Sequence, residues 1–460
     1  MTDVMWNCLH RIENSGVLNV KHVSRVALAL VSILALALTG CTSDPDEAGG
    51  DPGGDGGGAP VEPTRGLTED TIKIGYIGAD FGDLAEAGLA PDLGDQEKII
   101  ESVVEQINED GGIAGRQVEA RVKLVSGLAG PEEAEAACIE MTQDFGAFAV
   151  VFGPATSRNT ASCLAVANST LTIGATGFDL ALYEEAEGRL FTAGSDTSMS
   201  TDRQYRGWAE IMDAEGALDG KTIGVVTADQ SPEFVAAAED ALIPALEDLG
   251  HEVAVDVTLP CPEGDTDCDQ HESAVQQMKS AGVDFVFMAA ANLTGPAFIQ
   301  AAENLDFHPA WAANGNQTTD TVSQFFDSVK DPWDGTVGTS TVFAAEEDLS
   351  EAAFACNQTI EERSGEVYEP GSDAFGFAAV NCLSLRLLQL GAEDIEPAAL
   401  DQAAMIAGIE GLGEVELNAG PPGTLSADKH DAGNHLFIAD YDASAGEFVD
   451  RDGDPVEITA

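Results

Sequence analysis

Basic residues are scarce in this chain of 460 residues. It has 20 Lys and Arg against 81 Asp and Glu, which gives a formal charge of −61. A chain this negative repels phosphate backbones and anionic lipid surfaces, so the composition excludes a nucleic-acid-binding protein. The acid excess reflects either an acidic lineage or a salt-rich habitat, in which screening weakens the self-repulsion. Apolar residues still make up 44 % of the chain, which is enough for a core of more than one domain.

Long apolar runs are also scarce, which excludes a multi-span transporter. The one membrane-like run covers 26–38, and its 13 residues are too few to span a ~30 Å hydrocarbon core. Lys21, His22 and Arg25 precede it, as in a secretory signal. The run ends in Leu38-Thr39-Gly40-Cys41, which resembles a bacterial lipobox, in which a small residue before the cysteine admits the signal peptidase. An ordinary signal with a chance cysteine is the alternative.

These features predict how the N-terminal region is processed. Residues 1–40 are interpreted as a lipoprotein signal peptide, of which 1–20 are an over-extended start, and Cys41 as the lipidated residue. Residues 41–66 are acidic and glycine-rich without apolar periodicity, which is typical of a flexible tether. We therefore expect a protein of the cell envelope that lies outside the cytoplasm and is attached to the membrane by its lipid alone.

Catalytic and metal-binding motifs are lacking. The sequence has no G-x-S-x-G, no H-E-x-x-H and no C-x-x-C, and its histidines are scattered. We therefore expect no enzyme, no metal and no cofactor, and a secreted enzyme is the least favoured class of function. Asp450-Arg451-Asp452-Gly453-Asp454 resembles part of a calcium loop but lacks the closing glutamate, so we expect a hairpin turn at Asp452-Gly453.

The cysteines indicate disulfides. Without Cys8, in the removed segment, and the lipidated Cys41, six of the eight remain, and an even number in an exported protein favours pairing. Six cysteines allow many connectivities, but their grouping along the sequence favours Cys138–Cys163, Cys261–Cys268 and Cys356–Cys382.

Short apolar runs alternate with amphipathic stretches from Thr71 onward. Ile99, Ile100, Val103, Val104 and Ile107, for example, fall on one face of a helix. Such alternation predicts an α/β fold with parallel sheets covered by helices, and two series of runs predict two lobes. The predicted strands are Ile72–Ile77, Val118–Val125, Phe148–Phe152 and Leu171–Ile173, then Thr222–Thr227, Val253–Leu259 and Val283–Ala289.

The loops that leave these strands are the candidate binding elements, because ligands bind beyond the carboxyl ends of strands in open α/β sheets. The loops after Phe152, Ile173, Thr227 and Ala289 are small, hydroxylated and in part glycine-bearing. Such residues allow ligand oxygens to approach backbone N–H groups at helix starts. The alternative is that their Ser, Thr and Asp only cap helices.

Two segments resemble a known family. Residues 72–78 (IKIGYIG) and 107–118 (INEDGGIAGRQV) are similar to the opening of the branched-chain amino acid type of periplasmic binding proteins, the type I solute-binding proteins of ABC importers. The loop 153–157, the segment 173–176 and residues 371–391 extend the resemblance. It implies two Rossmann-like lobes joined by a three-segment hinge that closes on a ligand. Lobe one would be 67–193 plus 342–430, and lobe two 194–341 plus 431–460, with crossings near Gly194, Phe343 and Asp431.

The same resemblance implies a ligand site. Thr156 and Ser157 match a hydroxyl loop that receives a ligand carboxylate or carbonyl, and Gly174 to Thr176 match the backbone segment beside it. Arg158 adjoins this loop and would pair either a ligand carboxylate or a nearby acid. The full candidate set is Leu93, Thr156, Ser157, Arg158, Gly174, Ala175, Thr176, Asp229, Gln230, Asn292, Asn314 and Asn316.

Three positions depart from the family pattern. Leu93 stands where amino-acid binders have a tyrosine, no aromatic lies between Asp229 and Pro232, and no acid for the ligand ammonium lies near Asn314 to Asn316. Burying an unpaired ammonium costs several kcal/mol. Either another acid replaces the missing one, or the ligand is not a plain α-amino acid. The candidate acids are Asp80, Asp83, Asp229 and Asp320.

The expected function is therefore that of a lipid-anchored solute-binding protein, a monomer. It would capture a small-molecule ligand, namely an amino acid, an amide or a short organic acid, for an ABC permease with its ATPase. The alternative is a ligand sensor of the same fold that reports to a signalling partner.

Overall fold

The computed structural model describes residues 64–80, 82, 85, 92–126, 131–153, 157–229, 232–261, 268–290, 294–314, 330–341, 349–451 and 454–458. The predicted signal peptide, Cys41 and most of the tether lie outside these residues. So do the candidate residues Thr156, Gln230, Asn292 and Asn316, and the candidate acids Asp83 and Asp320.

Sheet I consists of five strands: β1 (Thr71–Asp80), β2 (Gln117–Ser126), β3 (Ala149–Phe152), β4 (Leu171–Gly174) and β5 (Leu190–Thr192). They are parallel, in the order β2-β1-β3-β4-β5. All residues of β3, β4 and β5 are buried, as in a parallel sheet covered on both faces.

In the described residues of the same stretch of chain, four helices have defined bounds. They are α1 (Gln96–Glu109), α2 (Pro131–Ile139), α3 (Arg158–Ser162) and α4 (Leu180–Glu185). Asp95 begins α1 by accepting a hydrogen bond from the Lys98 N–H, and the predicted apolar face of α1 is buried. Both α2 and α3 continue into π-helical turns, at Glu140–Asp144 and Cys163–Ala167.

Sheet II begins with β6 (Ile223–Ala228), β7 (Val253–Leu259), β8 (Phe285–Met288), β9 (Ala310–Asn314) and β10 (Val337–Ser340). A separate small pair follows along the chain, β11 (Gly413–Val415) and β12 (Gly423–Leu425). Sheet II is completed by β13 (His435–Asp442), β14 (Glu447–Asp450) and β15 (Val456–Glu457). Its order is β14-β13-β10-β9-β8-β6-β7, in which β6 to β10 are parallel and β13 pairs antiparallel with β10.

Six helices are defined in the described residues of the sheet II part of the chain. Trp208, on the helix Thr201–Ala214, is fully buried, and its ring lies edge-on to that of Phe287 on β8, with 4.8 Å between the ring centroids. The helices are α5 (Thr201–Ala214), α6 (Pro232–Ala237) with a π-helical turn at Ala238–Leu242, α7 (Ile243–Asp248), α8 (His271–Ala281), α9 (Thr294–Asn304) and α10 (Lys330–Trp333).

The chain then returns to sheet I with α11 (Glu351–Ser364), α12 (Asp373–Gly391) and α13 (Gln402–Glu410). These helices share one core cluster with β1 and α1, in which Ile72, Ile99, Cys356 and Leu385 take part. By length and hydropathy α12 could cross a membrane, but 72 % of its apolar window is buried inside the protein.

The predicted disulfides are present. Cys138 on α2 is bonded to Cys163 after α3, so two helices on either side of β3 are joined. Cys261 is bonded to Cys268, and Cys356 on α11 to Cys382 on α12. The pairing by sequence grouping is thus confirmed.

The predicted hairpin near the C-terminus is wrong. The segment 447–450 pairs with β13 at Ala439 to Asp442, and the segment 456–457 pairs with the same strand at His435 and Leu436. The two segments therefore follow one another along the edge of β13 instead of pairing with each other. The expected turn residues, Asp452 and Gly453, lie outside the described residues.

Chain segments cross between the two sheets. Thr192 at the end of β5 forms a bridge to Asp431, just before β13 begins. Met199 lies between two glycines, since a Cβ on Gly433 would approach its backbone nitrogen to 2.7 Å and a Cβ on Gly177 would meet its carbonyl oxygen. Glycine is required at both positions, so the packing of these crossings is specified by the sequence. The exact lobe boundaries predicted above stay predictions.

Candidate functional site: a cavity between the two sheets

A cavity of about 680 Å³ opens between the strand ends of sheet I and two helix starts of the sheet II part. On the sheet I side it is lined by Ser157, Arg158, Asn159, Thr176, Gly177, Phe178, Asp179 and Ala181. On the opposite side it is lined by Thr201 and Gln204 of α5 and by Pro232, Glu233, Phe234 and Ala236 of α6. Its volume is in the range of small-molecule sites.

Ser157 both caps a helix and lines the cavity. Its Oγ accepts a hydrogen bond from the Thr160 N–H at 3.3 Å and lies 3.1 Å from the Thr160 hydroxyl. The capping role left open in the sequence is therefore real for this residue. Because a hydroxyl has a donor and two acceptor positions, Ser157 retains capacity for a ligand oxygen.

Arg158 forms a bidentate ion pair with Asp179. Its Nε donates to one carboxylate oxygen at 2.6 Å and its Nη2 to the other at 3.0 Å. The neighbouring carboxylate raises the pKa of Arg158. Asp179 also caps α4 by accepting from the Leu182 N–H at 3.1 Å. Of the two roles weighed for Arg158, the pairing with a nearby acid is the one observed.

Glu233 contributes a carboxylate from the opposite wall. Burial raises its pKa, the negative charge of Asp179 raises it further, and Arg158 partly opposes both. Among the described residues it has no ion-pair partner, since Arg158 is engaged by Asp179. The formal charge of the lining is therefore negative, and a cationic or hydrogen-donating group of a ligand would be stabilised there.

The rings of Phe178 and Phe234 line the same cavity. Phe234 lies on α6, two residues beyond the segment Asp229 to Pro232 in which the family pattern has an aromatic. Phe178 lies on the sheet I side, where its ring packs edge-on against Phe152 at 5.8 Å. Sequence reasoning missed both rings; Pro232 indicates where a helix starts, but not which way its first turn faces.

Several predicted site residues do not line this cavity. Leu93 packs against the sheet I core. The carbonyl of Gly174 accepts from the Ala193 N–H, and that of Ala175 accepts from the Thr197 hydroxyl, so a crossing segment occupies both. Asn314 is buried at the end of β9.

Asp229 is also engaged elsewhere, because its carboxylate accepts from the Cys261 N–H at 2.6 Å. The candidate acid Asp80 accepts from the Gly82 N–H at 2.9 Å. Of the described candidates, the cavity brings together only Ser157, Arg158 and Thr176. Within the described ranges, no cluster of three or more His, Cys, Asp or Glu has a metal-binding arrangement.

Comparison with known proteins assigns the fold to a family. The model of the family described as periplasmic binding protein matches residues 71–447. The chain belongs to the periplasmic binding protein family. No curated protein sequence matches the chain significantly.

Solved structures of this family share the fold at low identity. A substrate-binding protein of Streptococcus pneumoniae, in complex with isoleucine, is 19 % identical over 84 % of this chain and 100 % of its own, with a TM-score of 0.55. A fatty acid ABC transporter protein of Thermomonospora curvata is 16 % identical over 86 % of this chain and 95 % of its own, with a TM-score of 0.57.

A third structure is a solute-binding protein of Rhodopseudomonas palustris in complex with p-hydroxybenzoic acid. It is 14 % identical over 85 % of this chain and 98 % of its own, with a TM-score of 0.59. At this level of identity the likeness shows the fold alone.

Proposed function

We propose that this periplasmic binding protein captures a small polar solute in the cavity between its two sheets and delivers it to an ABC permease with its ATPase. The observation that carries the proposal is the cavity itself, whose lining comes from strand ends on one side and from α5 and α6 on the other. A solute held there contacts both halves of the molecule, so its binding favours the closed arrangement. The relatives in complex with isoleucine and with an aromatic acid support this class of cargo.

The charge of the lining limits the classes of solute that the cavity favours. Arg158 and Asp179 neutralise one another, which leaves the Glu233 carboxylate to be compensated. Among amino acids, amides and short organic acids, the cavity thus favours those with an ammonium or an amide donor over plain carboxylates. In this proposal Glu233 takes the place of the acid that is absent near Asn314, and the rings of Phe178 and Phe234 contact the apolar part of the solute.

The location is part of the proposal. We propose that residues 1–40 are a signal peptide, that Cys41 is lipidated, and that 41–66 tether a monomeric binding protein to the outer face of the cell membrane. The motif Leu38-Thr39-Gly40-Cys41 and the glycine-rich segment after it support this arrangement. A Cys41→Ser variant should lose incorporation of labelled fatty acid; unchanged labelling would contradict the anchor.

The cargo can be tested by differential scanning fluorimetry against amino acids, amides and short aliphatic and aromatic acids, followed by calorimetry of the best solute. The variant Glu233→Gln should weaken an ammonium-bearing solute about tenfold or more, since it removes a charge-assisted contact. The matched control is Glu247→Gln, which removes the same charge from an exposed position on α7. Equal affinities of the two variants would place the solute elsewhere, and a library without any hit would contradict solute binding.

A further inference from the structure

A second cavity, of about 380 Å³, lies on the other side of α4 and α5 from the first. The helix α5 contributes Arg203 and Arg206 to it, whereas Thr201 and Gln204 of the same helix line the first cavity. The remaining wall consists of Leu180, Tyr183 and Glu184 of α4 and of the segment 427–431. This rear cavity is thus bounded by elements that belong to both sheets.

Arg206 is the residue that makes the rear cavity unusual. The chain has about four acids for each base, yet the guanidinium of Arg206 has no hydrogen bond or ion pair with any residue in the described part of the chain. The residue is half-buried, so its charge is only partly hydrated. A guanidinium offers a planar fork of donors that matches the oxygens of a carboxylate or phosphate.

The neighbouring groups add positive charge at the same place. Arg203 and Lys429 line the cavity, and the Lys429 side chain is only 12 % exposed. Burial and the charge of Arg203 lower the pKa of Lys429 to about 8, with Asp431 acting in the opposite direction. The buried acid Asp431 is shared between Arg203 and Lys429, and the other two acids of the lining, Glu184 and Asp428, are exposed to solvent.

The cavities differ in the numbers of bases and acids in their linings. The first cavity has one base and two acids in its lining. Arg206 is also the one base in the lining of a cavity beside α7, where the acids are Glu210, Asp240 and Asp248. The rear cavity has three Lys and Arg against three acids, and it also has His430. In a chain of charge −61, a lining with as many bases as acids repels an anion less than the acidic surface elsewhere.

We propose that the rear cavity is a binding site for a small oxyanion, with the Arg206 guanidinium as its principal donor. Lys429 and Arg203 supply positive charge without having to give up their own hydrogen bonds. The site is separate from the solute cavity, although α4 and α5 form walls of both.

The test is isothermal titration calorimetry of the full-length mature protein with inorganic phosphate and with butyrate, at fixed ionic strength in sodium chloride. Saturable binding of either probe is expected, and the tighter of the two identifies a phosphate or a carboxylate. Arg206→Gln should weaken that binding about tenfold or more, because it removes a charge-assisted pair of hydrogen bonds. Absence of saturable binding of both probes would overturn the proposal.

The matched control is Arg386→Gln. Arg386 on α12 likewise has no partner among the described residues and lines a different cavity, so its loss lowers the charge equally. It should leave the affinity for the anion unchanged. Equal weakening by both variants would show general charge attraction and would also overturn the site. Neither result depends on whether a solute binds in the first cavity, so the two proposals fail independently.

Discussion

Arg203 and Asp431 form a buried ion pair where the chain crosses between the sheets. Their Nη1 and Oδ2 atoms are 3.0 Å apart, and each side chain is 4 % exposed. Arg203 also donates to the carbonyls of Gly433 and Ile458, and Asp431 accepts from the Ser200 N–H at 2.7 Å. The pair thus holds the start of α5, the segment before β13 and the C-terminal segment together.

We predict that Asp431→Asn destabilises the protein by roughly 3 kcal/mol, because it leaves the buried Arg203 charge without its partner. The measurement is urea unfolding followed by circular dichroism. Glu187→Gln is the control, since Glu187 pairs with Arg189 but is 74 % exposed, and an exposed pair contributes less than about 1 kcal/mol. Equal losses in the two variants would contradict the structural role of the buried pair.

We predict a pH-dependent contribution from Asp196, which lies in the first crossing. Burial raises the pKa of Asp196 to about 7. Between its ordinary pKa near 3.8 and this value, the folded protein binds more protons than the unfolded chain. The contribution of Asp196 to the free energy of unfolding therefore decreases as the pH rises from about 4 to 7. Above pH 7 the destabilisation has its full size.

Asp196→Asn should raise the free energy of unfolding at pH 8 by about 1–2 kcal/mol, after allowance for solvent screening at this half-buried residue. Near pH 4 the gain should vanish. Denaturant titrations at both pH values measure the difference. Asp144→Asn, at an exposed position, should follow the wild-type pH profile. A gain for Asp196→Asn that does not change with pH would refute the assignment.

We predict that the disulfides differ in their contribution to stability. Cys138–Cys163 closes a separation of 25 residues and Cys261–Cys268 one of 7. On the loop-entropy estimate their removal costs about 3.5 and about 2.4 kcal/mol, respectively. Paired Cys→Ala variants compared by urea unfolding check this order; a larger loss for the Cys261 pair would contradict it.

Strands with strong β-formers were predictable from the sequence, and weaker strands were not. Val253–Leu259 is rich in valine and forms β7 with the expected bounds. Ala310–Asn314 and Val337–Ser340 form β9 and β10 although the first is mostly alanine and the second is short and contains Gly338. Their strand conformation is determined by pairing with neighbours in sheet II, which local sequence does not specify.

The candidate site was predictable only in part, for a geometric reason. The sequence pointed to the loops after β3 and β4, and Ser157, Arg158 and Thr176 from these segments line the cavity. Glu233 and Phe234 were missed because they lie on the first turn of α6, and the direction in which a turn faces depends on how that helix packs on sheet II. Pairing across space, as between Arg158 and Asp179 at 21 positions apart, likewise has no local signal.

Small-angle X-ray scattering with and without the best solute tests the central claim most directly, namely that a solute in the cavity brings the two halves together. We predict a smaller radius of gyration at saturating solute, and the same decrease in Glu233→Gln only at about tenfold higher solute concentrations. A scattering profile that stays unchanged while calorimetry shows full occupancy would contradict the account.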